Sequence, residues 1–281
     1  MRIAPRCFRS ILRRSFEKTM ILLDPAARPV IGHRGNRAHA PENTLPSLLE
    51  AVALGVDAVE FDLHLSRDGM LVVIHDATLE RTTDGTGPIA LRTLAELRTL
   101  DTGTHFTRDA GTTYPWRGRG VTVSTFDEVV EALPRDLPLI VELKTPAASP
   151  FLRTAIKRHG IASRVIVAGF DADAVLPLRD NGFAMGATTG EVAAMLLPAL
   201  LGQKIGPKPF QALCIPPVWN GIPVPILALA RGLRGTGVTT HIWTINEPAK
   251  ALRLWRGGVQ GIITDDPGLI LAARKALGNA N

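Results

Sequence analysis

The sequence predicts an α/β barrel of the TIM type, with eight parallel strands and an inserted small subdomain after a β-hairpin near strand 2. First, apolar strand-like segments alternate with amphipathic helical segments from Pro29 onwards. Second, the 281 residues are close to the roughly 250 that one such barrel needs. Third, eight βα units can be counted once one strand-like segment is assigned to a hairpin, and eight units favour a barrel over an open sheet.

The predicted elements follow one another in a regular order. Strands are predicted at 30–32, 58–65, 139–143, 165–168, 183–187, 213–215, 239–245 and 261–264. Helices are predicted at 44–54, 125–133, 150–159, 171–180, 190–201, 225–235 and 247–256, followed by a terminal helix. In the first helix we expect Asn43 or Thr44 to act as the N-cap and Gly55 to end the helix.

The segment Leu71–His75 does not fit the parallel alternation. A link of only five residues joins it to the preceding strand, whereas a parallel crossover needs about a dozen. The link contains Asp68-Gly69, which is a strong turn signal. We therefore predict an antiparallel hairpin. If its turn is centred just before Asp68, His75 pairs across from Glu60.

Residues 76–124 interrupt the alternation of strands and helices. They contain a turn-rich Glu-Arg-Thr-Thr-Asp-Gly-Thr-Gly segment, a helix-like stretch at 93–100 and many glycines and threonines. We predict that they form an insertion over the site. The turns at 81–87 are either a plain loop or a phosphate contact through backbone N–H groups, and no P-loop lysine follows them. The predicted organisation is an N-terminal segment, 1–28, and one barrel domain, 29–281, that contains the insertion.

The positive charge is concentrated at the N-terminus. Residues 1–19 carry six basic groups and one acid, a net +5 of the chain's +6. The remaining residues are therefore nearly neutral. A nucleic-acid-binding protein is expected to spread basic charge over a folded face, so we expect no nucleic-acid partner.

The same N-terminal residues have an amphipathic pattern, with apolar side chains at helical spacing and arginines on the other side. Three interpretations remain open: a helix lying on an anionic membrane surface, a disordered tail, or a stretch upstream of a start at Met20. The segment lacks the apolar core of a secretory signal, and no window reaches the roughly 18 apolar residues of a spanning helix. Because Cys7 and Cys214 form no disulfide pattern, we expect a cytoplasmic protein, with peripheral contact at the inner face of the membrane as the alternative.

Residues 198–225 are rich in proline and otherwise apolar. In a barrel they would follow the sixth strand as a stiff connection. Two interpretations are open, a packed surface connection and an apolar wall for a lipid-like substrate.

Acidic, basic and histidine side chains gather at the ends of three predicted barrel strands and the hairpin arm. They are His33, Arg34, Glu60, Asp62, His75, Glu142 and Lys144. Strand ends meet at one face of a barrel, so these side chains are expected to converge. Three carboxylates suit a hard divalent cation such as Mg²⁺ or Ca²⁺, and no Cys/His cluster favours zinc. Two histidines suit proton transfer near neutral pH, and the two cations suit phosphate oxygens.

Several segments also match a known family in the right order. They are His33-Arg34-Gly35, Pro41-Glu42-Asn43-Thr44, Glu60-Phe61-Asp62, Asp68-Gly69, Val72-Val73-Ile74-His75-Asp76, Arg81-Thr82-Thr83, Glu142-Leu143-Lys144, Trp243-Thr244-Ile245-Asn246 and Gly261-Ile262-Ile263-Thr264-Asp265. Over residues 30 to about 267 the chain thus resembles the glycerophosphodiester phosphodiesterase family. Gly169-Phe170 departs from the commoner Ser-Phe, which removes a hydroxyl near the site.

The resemblance implies a TIM barrel with an inserted segment after the hairpin, and a role for each site residue. It implies one divalent cation held by Glu60, Asp62 and Glu142, and an acid–base pair formed by His33 and His75. Arg34 and Lys144 would bind phosphate, whereas Trp243 and Phe170 would pack on the alcohol part of the substrate.

The expected activity is metal-dependent hydrolysis of glycerophosphodiesters to an alcohol and sn-glycerol 3-phosphate. One alternative is a phosphodiesterase of the lysophospholipase D or sphingomyelinase D type that acts on lysophospholipids. The other is a catalytically silent barrel that binds a lipid or a polyol. An assay with and without a chelator separates an enzyme from a binding protein.

Overall fold

Eight parallel strands form the barrel that the sequence predicts, in a computed structural model that describes residues 20–278. The strands are β1 Val30–His33, β2 Ala58–Leu65, β3 Leu71–Val73, β4 Leu139–Leu143, β5 Val165–Ala168, β6 Ala184–Met185, β7 Ala212–Ile215, β8 Val218–Trp219, β9 Ile222–Pro223, β10 Thr239–Ile242 and β11 Gly261–Thr264. The α-helices are α1 Leu45–Ala53, α2 Leu94–Leu97, α3 Phe126–Ala132, α4 Ser149–His159, α5 Ala172–Val175, α6 Thr189–Leu200, α7 Ile226–Gly232, α8 Pro248–Arg256 and α9 Pro267–Gly278.

Around the barrel the strands run in the order β6-β5-β4-β2-β1-β11-β10-β7, and every neighbouring pair in this order is parallel. The ring is completed between β6 and β7 by a single bridge, Gly186–Ala212, beside which the Ala187 N–H donates to the Ala212 carbonyl at 2.9 Å. The predicted fold class is therefore confirmed.

Several predicted elements are longer than the observed ones; the strand predicted at 183–187, for example, is observed only at Ala184–Met185. The helix predicted at 171–180 is α5, which passes at Val175 into a single 3₁₀ turn, Leu176–Leu178. Pro177 lies in that turn and has no N–H to continue an α-helical ladder. The strand predicted at 239–245 ends at Ile242.

The predicted hairpin is present, because β2 and β3 pair antiparallel, but its predicted register is wrong by one residue. Leu63 pairs with Val73, so Glu60 does not lie across from His75. The turn contains three residues rather than two, and Gly69 takes a left-handed conformation with φ +78°. The pairing ends where the Ile74 N–H donates to the Asp62 carbonyl at 3.1 Å.

Side chains on the barrel strands alternate between an inner and an outer apolar layer. The outer layer packs against the helices and is the larger of the two. The inner layer is closed at the amino ends of the strands by Leu22, which lies in the 3₁₀ turn Ile21–Leu23 and is fully buried. Side chains two residues apart on a strand point to the same face. On β1 and β4, the next inward position after the inner apolar layer, towards the carboxyl end of the strand, carries a polar residue. Ile31 thus precedes His33, and Ile140 precedes Glu142.

Residues 76–124 consist mainly of turns, with α2 and a 3₁₀ turn, Ile89–Leu91. Their apolar side chains, together with two from the hairpin, form a small cluster of their own, which comprises Val72, Ile74, Leu79, Ile89, Leu97 and Val123. This cluster anchors the insertion beside the hairpin that carries His75.

None of the helices within residues 20–278 is long and apolar enough to cross a membrane. The predicted amphipathic helix at 1–19 and Cys7 lie outside the described residues. Cys214, at the inner face of β7, is a free thiol.

His241 on β10 is completely buried in the barrel. Its Nε2 lies 3.2 Å from the Thr239 hydroxyl, which itself donates to the Leu22 carbonyl, so Nε2 carries the proton of a neutral ring. Nδ1 has no hydrogen-bond partner, and it occupies the place where a side chain at Gly261 would lie. Burial lowers the pKa of His241 to about 4. Protonation in the folded state would therefore bury an uncompensated charge.

We expect His241 to make stability fall with acidification between pH 6.5 and pH 4. In that window the unfolded chain binds a proton at this ring and the folded chain does not. This difference lowers the free energy of unfolding by about 3 kcal/mol between neutral pH and pH 4. Chemical denaturation between pH 7 and pH 4.5 should show a shallower loss for His241→Gln than for the unchanged protein. Equal slopes for the two proteins would contradict the assignment.

Candidate active site

Three carboxylates converge at the carboxyl ends of β2 and β4. Glu60 and Asp62 are two residues apart on β2, so both side chains point inward. Asp62 pairs in register with Glu142 on β4. One oxygen of each carboxylate lies within 4.8 Å of the others. Asp62 is only 1% exposed. Three acids this close and this buried repel one another unless positive charge lies among them.

The charges of this cluster are unevenly balanced. Burial and the neighbouring Asp62 raise the pKa of Glu60 well above its ordinary value, and the same two causes raise the pKa of Glu142. Although burial opposes it, Lys144 and then Arg34 lower the pKa of Asp62. Two of the three carboxyls thus resist ionisation without a further cation. Three convergent carboxylate oxygens are also the donor atoms that Mg²⁺ and Ca²⁺ prefer, so the residues fit a divalent cation.

Asn43 holds Asp62 in place from the loop before α1. Its side-chain N–H donates to the Asp62 carboxylate at 2.8 Å, and its side-chain carbonyl accepts from the Asp62 backbone N–H at 3.1 Å. Thr44, the other candidate N-cap, accepts from the Ser47 N–H and caps the helix. The neighbouring Asn43 is therefore free for the site.

Arg34 and Lys144, the predicted phosphate ligands, both lie against the carboxylates. The Arg34 Nε is 3.1 Å from Asp62, and the Arg34 backbone N–H donates to Glu60 at 3.0 Å. The Lys144 ammonium is 3.0 Å from Asp62 and also contacts Glu142. Arg34 has φ +52°, in a tight turn where any side chain at Gly35 would collide with the Ser47 backbone. This turn directs the Arg34 N–H towards the carboxylates.

His33 and His75 each form a short hydrogen bond to an aspartate through Nδ1. His33 Nδ1 lies 2.6 Å from Asp265, and His75 Nδ1 lies 2.6 Å from Asp76. Because an aspartate accepts the Nδ1–H, Nε2 is the nitrogen of each ring that is available to accept or to donate a proton. Burial lowers the pKa of both histidines. Both rings line a small cavity of about 50 Å³ together with Glu60, Glu142 and Lys144.

Glu42 is connected through arginines to the aspartate partners of both histidines. Its carboxylate accepts hydrogen bonds from three arginines, Arg34, Arg37 and Arg81. Arg37 also lies 3.3 Å from Asp265, the partner of His33. Arg81 also donates to Asp76, the partner of His75. Although burial opposes it, the hydrogen bond from Arg81 and the charges of the arginines lower the pKa of Glu42 far below its ordinary value.

Three acids of this network, Glu42, Asp76 and Asp265, have no role among the predictions from the sequence. Asp76 directly follows His75, and Asp265 follows the end of the last barrel strand, which are the positions from which side chains reach the site. Those two positions are the sequence features from which a role for Asp76 and Asp265 could have been predicted. Arg81 had been considered only for a backbone contact to phosphate, whereas its side chain joins two carboxylates.

Trp243 and Phe170, the predicted contacts for the alcohol, form one aromatic wall of the site. Their ring centroids are 5.7 Å apart in an edge-to-face arrangement. On its other side Phe170 stacks on Trp219 from the β8–β9 hairpin, at 4.9 Å and an interplanar angle of 22°. Trp219 lies in the proline-rich connection, far from the matched motifs, and no sequence pattern points to it.

Comparison with known proteins gives consistent results. The model of the glycerophosphoryl diester phosphodiesterase family matches residues 33–177. A glycerophosphodiester phosphodiesterase of Caldanaerobacter subterraneus subsp. tengcongensis is 33% identical over 250 residues, which cover 85% of this chain and 94% of the relative. The crystal structure of a glycerophosphodiester phosphodiesterase from Agrobacterium tumefaciens aligns with a TM-score of 0.70 at 25% identity, covering 87% of this chain and 99% of that one. A phosphodiesterase of Oleispira antarctica, solved in complex with the product sn-glycerol-3-phosphate, aligns with a TM-score of 0.69 at 27% identity, covering 89% and 97%.

The fold and these relatives define the class of protein, a TIM-barrel phosphoric diester hydrolase. More narrowly, the chain belongs to the glycerophosphoryl diester phosphodiesterase family.

Proposed function

We propose that the chain hydrolyses glycerophosphodiesters to an alcohol and sn-glycerol 3-phosphate, with one divalent cation, Mg²⁺ or Ca²⁺. The observation that carries the proposal is the convergence of three carboxylates and two histidine–aspartate pairs at one end of the barrel. The Oleispira antarctica relative, whose structure holds sn-glycerol-3-phosphate, supports the choice of product.

Glu60, Asp62 and Glu142 are the residues that would hold the cation. When bound, the cation supplies positive charge to a phosphoryl oxygen as negative charge develops there. Arg34 and Lys144 place further cationic donors beside the same phosphoryl group.

His33 and His75 carry out proton transfer in this proposal. One ring accepts the proton of the nucleophile at Nε2, and the nucleophile is either water or the free hydroxyl of the substrate's glycerol, which would first give a cyclic phosphate. The other ring, which must be protonated at both nitrogens when the substrate binds, donates its Nε2 proton to the leaving alkoxide and becomes neutral. Asp265 and Asp76 hold the Nδ1–H of each ring and so keep Nε2 directed into the cavity.

A second candidate, hydrolysis of lysophospholipids, is favoured by one observation. An apolar cavity of about 200 Å³ adjoins the carboxylates and is lined by Phe170, Trp219 and Trp243. We also propose that the protein is cytoplasmic. In this second candidate, residues 1–19 would contact the membrane surface.

Removal of divalent cations is expected to stop turnover. The carboxylate cluster would then lose the positive charge that balances it, and the phosphoryl oxygen would lose its electrophilic partner. Release of choline from glycerophosphocholine should cease in the presence of EDTA and return when Mg²⁺ or Ca²⁺ is added in excess. Turnover that is insensitive to EDTA would contradict the metal assignment.

A further inference from the structure

We propose that the apolar cavity beside the carboxylates, between α6 and the β8–β9 hairpin, is a subsite for an aliphatic chain on the alcohol side of the diester. This inference rests on the proposed function and narrows it to a substrate class. That class is glycerophosphodiesters whose alcohol is an alkyl chain or carries one.

The composition of the cavity is the first argument. Fifteen residues line its volume of about 200 Å³, and Glu142 is the only charged one among them. α6 contributes Val192 and Leu196, and the connection around the hairpin contributes Trp219 and Val224. Such walls gain free energy from burying an alkyl chain in proportion to the apolar area removed from water.

The position of the cavity is the second argument. It shares five lining residues with the smaller cavity that holds the histidines: Glu142, Ala168, Phe170, Cys214 and Trp243. The two cavities therefore adjoin at a predicted metal ligand. A phosphate held at the carboxylates would place one ester substituent at the entrance of the apolar cavity.

The scarcity of polar groups around the cavity disfavours a polyol as the occupant. The Thr189 hydroxyl already donates its proton to the Phe170 carbonyl at 3.1 Å. A glycerol hydroxyl in this space would leave water for walls that are mostly apolar, which is unfavourable. The glycerol part of the substrate is thus expected outside this cavity.

A quaternary ammonium such as choline is also a poorer occupant. Cation–π binding needs aromatic faces that are open to the ligand. Phe170 and Trp219 stack on each other at 4.9 Å, so one face of each ring is closed to a ligand. Fewer aromatic faces are therefore left for a cation than the three rings could offer.

The outer end of the cavity allows a chain to extend beyond it. Trp219 lines the cavity and is 38% exposed, and Ile222 on the facing strand of the hairpin is 70% exposed. A chain longer than the cavity would continue along these apolar side chains.

The test is a series of glycerophosphodiesters of ethanol, butanol, hexanol and octanol, with glycerophosphocholine as the polar reference. We expect kcat/KM to rise about fourfold for each added CH₂ until the cavity is filled, since that factor corresponds to the burial of one methylene group. The octanol ester is expected to exceed glycerophosphocholine in kcat/KM.

Two neighbouring alanines on α6 give a matched pair of variants. Ala193 and Ala194 are both exposed, but only Ala193 lines the cavity. Ala193→Trp should fill the cavity and flatten the dependence of kcat/KM on chain length. Ala194→Trp should keep the chain-length dependence of the unchanged protein.

The outcomes separate the inference from the proposed function. If all esters are hydrolysed with equal kcat/KM, or if both tryptophan variants behave alike, the inference is overturned and the proposed function stands. If no ester is hydrolysed, both are overturned.

Discussion

Replacing His33 or His75 with alanine is expected to lower kcat for glycerophosphocholine by about 10²–10⁴-fold, which is the usual contribution of one general acid or base. Each ring is held through Nδ1 by an aspartate at 2.6 Å and lines the cavity beside the carboxylates. Its loss would remove one of the two proton transfers while the predicted metal ligands remain. Steady-state kinetics of each variant at pH 7 and saturating cation measure the effect.

His159 provides the control for these variants. It lies at the end of α4, on the outside of the barrel, where it contacts Asp127. His159→Gln should therefore retain normal kcat. If His33→Ala and His75→Ala each kept most of their activity, the acid–base pair would be wrong, whatever the fate of the metal assignment.

Glu60→Gln and Glu142→Gln are each expected to abolish cation-dependent turnover. Glutamine keeps the size of the side chain but removes the negative charge that a hard cation requires of its ligands. The effect on kcat should be about 10³-fold or more, because a bound cation contributes several kcal/mol of charge stabilisation in the transition state.

Calorimetry tests directly whether cation binding is lost, and a cooperative thermal unfolding transition for each variant excludes a folding defect. Both variants should bind Mg²⁺ or Ca²⁺ far more weakly than the unchanged protein. Glu131→Gln, an exposed change on α3, should bind the cation and turn over substrate normally. Near-normal activity in both site variants would exclude these carboxylates as the metal ligands.

The fold was predictable because it depends on local patterns. Alternating strands and helices, and the short link at Asp68-Gly69, were sufficient for an eight-stranded barrel with a hairpin. The register of that hairpin was not predictable from the pattern. It depends on whether the turn contains two or three residues, and Gly69 permits either.

The candidate site was predictable to a similar extent. The residues at strand ends lie together, because parallel strands in a barrel end at one face. The acids that orient them were assigned no role, since Glu42 meets Arg37 and Arg81 only after the loops are folded. Trp219 was missed for a related reason. Its contact with Phe170 joins two loops that are distant in sequence.

The contact between Glu42 and Arg81 also bears on how this domain can be recombined. Arg81 belongs to the segment 76–124, whereas Glu42 belongs to the loop that follows β1. A chimera that receives this segment from another barrel would therefore lose Asp76 and Arg81 but keep Glu42. These three residues belong to the ion network that reaches both histidines. Such a transplant is expected to work only when the donor segment brings its own counterparts of Asp76 and Arg81. The insertion and the loop after β1 are thus expected to be exchangeable only together.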